Sequence, residues 1–294
     1  MKPWFAAAVL AFLMCFTLTC YFFKIPDDLR RKGKEGRWGP PNAEFNWCEP
    51  DYLVADWLAE PVNTVSNMAI MVPPMIFLAT HTASRDICVV ATLQAAIGAG
   101  SVLFHGTLRY SMQLCDELPM LWYSLSCAVI CLHRLQGMQL AGPALAFASA
   151  VSVGILATSQ HSTAHEFWRG TMSCAFSACA VLMAWGSASL VARMKQEFVD
   201  KRRRVAVVAE RMHTIGFVCF ALAVVCWLVD NYFCTTLWHL PFGLPYPHLH
   251  TLWHILVGAA IHTLLILFRL DDQSKVDSAH ISWRWLLPAV VLAA

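Results

Sequence analysis

Eight apolar stretches of about 18–23 residues limit what this chain can fold into more than any other feature. They cover about 4–23, 62–80, 87–105, 118–136, 141–158, 171–193, 214–235 and 250–270. A hydrocarbon core needs roughly 20 apolar residues to cross as a helix. Inside it every backbone N–H and C=O must be satisfied within the segment itself, which favours helices. Most connections between the stretches are brief, and no long internal repeat or low-complexity tract separates them. The pattern predicts one all-α, polytopic helical bundle without a soluble domain. Composition agrees: charged residues make up 14% of the chain, where a soluble domain carries about a quarter.

The first stretch, "WFAAAVLAFLMCFTLTCYFF", stands apart. It follows a single lysine and lacks a clear small-x-small cleavage site. It reads as a retained anchor, with a cleaved signal peptide as the alternative. A charged linker, "KIPDDLRRKGKEGR", comes next. Orientation follows from the loop "RMKQEFVDKRRRVAVVAER" at 193–211, whose basic cluster places it in the cytosol by the positive-inside rule. Arg85 and the His133/Arg134 loop agree with it, whereas the basic 24–37 linker falls on the opposite face. Counting from the 193–211 loop, the 24–61, 106–117, 159–170 and 236–249 segments are non-cytosolic, and the C-terminus is cytosolic.

Ionisable residues inside spans are costly and point to function. Ser101 and His105 lie four apart, hence on one helix face. Asp116 follows just before the next apolar run. "HLHTLWHILVG" places His250 and His254 one turn apart at the start of the last span. By the same count, all five residues reach one side of the membrane. Three imidazoles suit a catalytic Zn²⁺, which is tetrahedral and leaves its fourth position for water or substrate. Asp116 would then accept a proton and Ser101 would hydrogen-bond the water or a developing oxyanion. The bland alternative is that the histidines only reach headgroups or backbone carbonyls.

A second cluster lies in "NWCEPDYLVADWLAEPVNTVSN". Asn46, Glu49, Asp51, Asp56 and Glu60 supply oxygen donors within a short loop. Ca²⁺ takes six to eight oxygens, so the density suits it, as it also suits a solvated acidic surface. The Gly and terminal Glu of an EF-hand are missing. Most of the twelve cysteines sit in spans, where Cys acts as a small hydrophobe. Cys48 and Cys234 lie near the non-cytosolic face, which is oxidising in the secretory pathway.

Taken in order, "WGPP", "NWCEPDY", "EPVNTVSN", "GSVLFHGTLRYSMQLCDELPM", "VDNYFC" and "HLHTLWHILVG" resemble the alkaline ceramidases, from Trp38 to Arg269. These are seven-helix membrane hydrolases related to the adiponectin and progestin receptors. The resemblance implies a seven-helix domain with the first stretch as an extra N-terminal segment, and zinc at His105, His250 and His254 with Ser101 and Asp116 beside it. It implies calcium at Asn46, Glu49, Asp51 and Glu60 plus the Trp47 carbonyl, and a Cys48–Cys234 disulfide. The implied reaction is hydrolysis of the N-acyl bond of ceramide, a two-chain lipid amide, to a sphingoid base and a fatty acid.

The chain also departs from the family. The usual Asp-Trp-Cys-Glu-x-Asn is replaced by Asn46 to Asp51, with acid and amide exchanged at constant carboxylate count. A tyrosine of the family's fifth helix has no clear match, and Arg169 in "HEFWRGTM" is the candidate for its place. The chain divides into 1–37, anchor or signal peptide plus linker; 38–270, the seven-helix domain; and 271–294, a tail. The expected partners are a ceramide-type lipid and the membrane, with no nucleic acid, in a monomer of the endoplasmic reticulum or Golgi. A seven-helix receptor of the related family, with a similar zinc site, is the alternative function.

Overall fold

The computed structural model describes residues 36–197, 203–272, 279–284 and 287–292. The apolar stretch at 4–23 and residues 198–202 of the basic loop lie outside the described residues. The bundle runs α1 (Pro61–Ser66), α2 (Met68–Thr80), α3 (Arg85–Thr107), α4 (Tyr110–Gln136), α5 (Ala141–Ala157), α6 (Thr163–Glu197), α7 (Arg203–Tyr232), α8 (Cys234–Trp238) and α9 (Leu249–Asp272). Strands β1 (Ala279–Arg284) and β2 (Leu287–Leu292) follow as an antiparallel hairpin.

Among the described residues, six helical segments are long and apolar enough to cross a membrane. They are α1–α2 taken together, α3, α4, α6, α7 and α9. The protein is an all-α, multi-pass membrane protein. Helix α5 is apolar but has only 17 residues. Helices α2, α3, α4, α6, α7 and α9 form a closed ring, each touching the next, and α9 returns to α2. Helix α5 packs outside that ring, against α4 and α6.

Three helices begin earlier than the apolar pattern predicts. Helix α4 starts at Tyr110, not near 118; α6 starts at Thr163, not near 171; α7 starts at Arg203, not near 214. The first turns of α4 and α6 carry Gln113, Asp116, Glu117 and Arg169, which hydropathy counts as loop. Within the bundle these polar groups bond to one another or face an interior cavity. Asp116 therefore sits in the second turn of α4, not ahead of it.

Two residues join α3 to α4. Leu108 closes α3 in the left-handed region (φ 50°), an uncommon conformation for a non-glycine residue. It is fully buried, and its carbonyl accepts from the backbone N–H of Asn42 and Ala43. The tight hairpin presses α3 against α4 next to Ser101. Pro119 has no N–H to give to the carbonyl four residues back, that of Cys115. This carbonyl faces Gly100, where an added Cβ would lie 2.0 Å from the oxygen. Gly100 thus sets how closely Ser101 approaches α4. Gly100→Ala should cost about 1–3 kcal/mol of stability by overpacking and lower activity with it. Thermal denaturation in detergent, with an activity assay alongside, measures both. A Gly100→Ala protein of unchanged melting temperature would show that α3 and α4 can separate freely.

At the opposite end, Arg134 ties the bundle together. It pairs with Asp86 (3.0 Å), Asp271 (3.0 Å) and Asp272 (2.7 Å), and Arg193 joins Asp271 from α6. Four helices, α3, α4, α6 and α9, are clamped there, far along the helices from the histidines.

Candidate active site

Helices alternate in direction, so the end of α3 and the starts of α1, α4, α6 and α9 meet at one end of the ring. The last turn of α3 brings His105 there and the first turns of α9 bring His250 and His254. All three are buried. Among the described residues they are the one group of three or more His, Cys, Asp or Glu side chains whose ligand atoms all lie within 4.8 Å of one another.

Hydrogen bonding determines which ring nitrogens are free. His105 Nδ1 lies 2.5 Å from Glu60 Oε2, and an ionised carboxylate only accepts. Nδ1 is therefore the protonated nitrogen, and Nε2 keeps its lone pair. Ser66 spends its one hydroxyl proton on Asn63 O (2.8 Å), so it accepts from His254 Nδ1 at 2.7 Å. His254 Nε2 is left with its lone pair as well. The His250 ring stacks on Trp47, with centroids 3.6 Å apart. Its Nδ1 has no hydrogen-bond partner among the described residues, and its backbone N–H reaches Asp230 Oδ1 at 3.3 Å.

These groups form the head of a cavity of about 230 Å³ inside the ring. Ser101 and Asp116 both line it. Glu117 and Arg169 line it too, and are paired. Further along, the walls are apolar, with Leu121, Met183, Phe220, Val224, Val257 and Ile261. The arrangement can bind a divalent cation at one end and an alkyl chain at the other.

Over this geometry lies the sequence finding that decides the family. The sequence model described as "Ceramidase" matches residues 39–291. The chain belongs to the ceramidase family. It is 29% identical to the alkaline ceramidase of Drosophila melanogaster over 235 residues, 78% of this chain and 77% of that one. It is 26% identical to an alkaline ceramidase of Saccharomyces cerevisiae over 282 residues, 85% of this chain and 84% of that one. Over a shorter stretch of 105 residues it is 39% identical to alkaline ceramidase 3 of Mus musculus, covering 34% of this chain and 39% of that one. The protein is an enzyme, a ceramidase-type hydrolase, and these findings do not favour the receptor alternative.

The loop that precedes the ceramidase helices is placed against the site. Cys48 and Cys234 are disulfide-bonded, as the family motifs imply. Trp238 Nε1 donates to Cys48 O at 2.9 Å. Glu60 is fully buried, and besides His105 its carboxylate accepts from Trp47 N (3.1 Å) and Asn63 Nδ2 (3.1 Å). Glu49, also buried, accepts from the backbone N–H groups of Val62 (2.7 Å) and Asn63 (2.8 Å) in the first turn of α1. Burial raises both carboxyls, and the N–H groups bonded to them act the other way, favouring the ionised forms that accept these bonds. Asn46 Nδ2 donates to Asp51 Oδ2 at 2.9 Å, while buried Asn46 Oδ1 has no partner among the described residues. Asp56 is exposed.

Sequence reasoning missed two participants: Ser66 orients His254, and Asp230 anchors the start of α9. It named Glu60, but not that Glu60 holds His105 directly. Asp230 accepts from Cys48 N (3.3 Å) and His250 N (3.3 Å) and is bonded by the Tyr246 hydroxyl. Of these, Asp230 carried a readable signal, since it is an acid at the end of the apolar run "VVCWLVDNYFC". Arg169, the candidate for the family tyrosine's place, is 2.7 Å from Glu44 and paired with Glu117. Ser173, one turn on, also lines the cavity.

Proposed function

We propose that this protein hydrolyses the N-acyl amide of ceramide within the membrane, using zinc at His105, His250 and His254. One observation carries the reading. Three buried imidazoles, two of them with Nδ1 already engaged, converge at the head of a largely apolar cavity in a chain of the ceramidase family. An all-imidazole set with open lone pairs fits Zn²⁺. The Glu60–His105 pair is the carboxylate–histidine arrangement that fixes a ligand's tautomer and raises its basicity.

Zinc bound there supplies a Lewis acid that polarises the amide carbonyl and acidifies water. The chain's own residues supply the proton path. The carboxylate of Asp116 takes a proton from the water that attacks the amide carbon, then delivers it to the departing nitrogen. The C–N bond breaks, and a fatty acid and a sphingoid base are released. Ser101, beside Asp116 on the cavity wall, offers its one hydroxyl proton to the developing oxyanion. Apolar walls hold the alkyl chain and exclude water from the rest of the cavity.

Calcium at Asn46, Glu49, Asp51, Glu60 and the Trp47 carbonyl is the second part of the proposal. Its support is the unpartnered, buried Asn46 oxygen beside a set of carboxylates. Through Glu60, that loop would stiffen His105 without touching substrate. The site would face the lumen of the endoplasmic reticulum or Golgi, with the basic 193–211 loop in the cytosol. The disulfide on the site's side of the bundle supports this orientation, because such bonds persist in oxidising compartments. The catalytic domain would span 38–270, preceded by an anchor or signal peptide.

Purified protein should release fatty acid from ceramide, lose that activity to a zinc chelator, and regain it with added zinc. Failure to hydrolyse any ceramide with zinc bound would defeat the proposal. Glu60→Gln keeps the side chain's size but removes its charge. It should weaken zinc binding by about 10–100-fold and abolish the response to calcium. Zinc affinity and calcium response both at wild-type levels would leave Glu60 as ordinary packing.

A further inference from the structure

Beyond the main cavity lies a smaller pocket of about 80 Å³ between α6, α7 and α9. Met183, Phe220 and Ile261 line both. They stand where the first ends and the second begins. One face of α9 follows the whole path, from His250 and His254 past Val257 to Ile261, then on to Leu264 and Leu267. From Ile261 to Leu267 is six residues, about 9 Å of additional depth.

Most of the second pocket's lining suits an alkyl chain, while the buried His213 Nε2 has no hydrogen-bond partner among the described residues. Ala180, Ala184 and Ala260 leave the space open. The Ser187 and Thr263 hydroxyls on its wall donate to carbonyls of their own helices, Ala184 O (3.2 Å) and Ala260 O (2.7 Å), and so make no demand on an occupant. The His213 ring forms part of the wall, seven residues from Phe220 along α7, or about 10 Å.

We propose that Met183, Phe220 and Ile261 form a partition that sets how long an alkyl chain the site accepts, with the second pocket as the space behind it. This rests on the ceramide reading of the site. The chain concerned is either the acyl or the sphingoid one, which share the same chemistry. A chain whose end meets the partition is bound along its full length. Extra methylenes must displace Phe220, and so forgo the roughly fourfold gain that each newly buried methylene brings.

The test is the chain-length profile of kcat/KM in two series of ceramides, one varying the acyl chain on a fixed base and one varying the base on a fixed acyl chain. Phe220→Ala should join the pockets and raise the preference for chains two to four methylenes above the wild-type optimum by about tenfold. Phe220→Trp should move the optimum to shorter chains. Adding Ala184→Phe to Phe220→Ala should refill the space and remove the gain. The series that responds identifies the chain. If Phe220→Ala fails to fold, Phe220→Val and Ile261→Val make the same opening more gently. Profiles unchanged within twofold in both series, in variants that still hydrolyse ceramide, would overturn the partition. A readout without turnover separates this from failure of the ceramide reading. A fatty acid with a photoreactive diazirine at its chain end should label the peptide carrying Phe220 in the wild type. In Phe220→Ala the label should move toward Phe217 and His213. Labelling confined to the histidine end in both proteins would likewise overturn the proposal.

Discussion

Replacing His105, His250 or His254 by alanine, one at a time, should abolish ceramide hydrolysis and strip the protein of zinc. Each of the three is nearly inaccessible to solvent, at 1%, 2% and 2% exposure, so no water can stand in for the lost third ligand without rebuilding the site. Metal assistance contributes several kcal/mol to transition-state stabilisation, and each 1.36 kcal/mol is tenfold in rate. The expected loss is therefore roughly 10³-fold or more. Zinc measured by elemental analysis of the purified variants separates loss of metal from loss of fold. An intact Cys48–Cys234 bridge in the same samples shows that the site's end of the bundle assembled. Normal zinc content in all three variants would mean that the histidines hold something other than this metal.

Asp116→Asn should behave differently, keeping zinc but losing kcat. General-base catalysis is worth about 10²–10⁴-fold, and asparagine preserves shape while removing proton affinity. Ser101→Ala should fall by roughly 10²–10³-fold, the cost of one oxyanion donor. Neighbouring Glu117 is a poor substitute for Asp116, because it is already engaged by Arg169 and by Gln113 Nε2 at 2.9 Å. Restoration of activity at high pH in Asp116→Asn would fit direct attack by hydroxide. A near wild-type rate at neutral pH would show that another group takes the proton.

The sequence made the membrane-crossing helices plain, since long apolar runs admit few alternatives. It also showed, by counting helices across the membrane, that His105, Asp116, His250 and His254 reach one end. It was least informative where polarity and burial coincide. The opening turns of α4 and α6 look like loop because Asp116, Glu117 and Arg169 are charged. They are helical because the ring gives those charges partners. Helix α5 looked like any other span. Its place outside the ring follows from neighbours that no local pattern encodes. The orienting contacts were hidden for a related reason. Glu60 and His105 are 45 residues apart, Ser66 and His254 188, and Cys48 and Asp230 182. Glu60 was legible as a carboxylate in a donor-rich loop, but its bond to His105 appears only when α1 and α3 are brought together.

The ring is closed by its first and last members, α2 against α9. During synthesis, a nascent chain passes through nearly its whole length before the site can exist. Glu60, Ser66 and His105 are synthesised early, and His250 follows His105 by 145 residues. Every shorter intermediate is a lipid-embedded polypeptide without its hydrolytic centre. Helix α9 is thus the last element the cluster needs, and a chain stopped before it holds neither His250 nor His254.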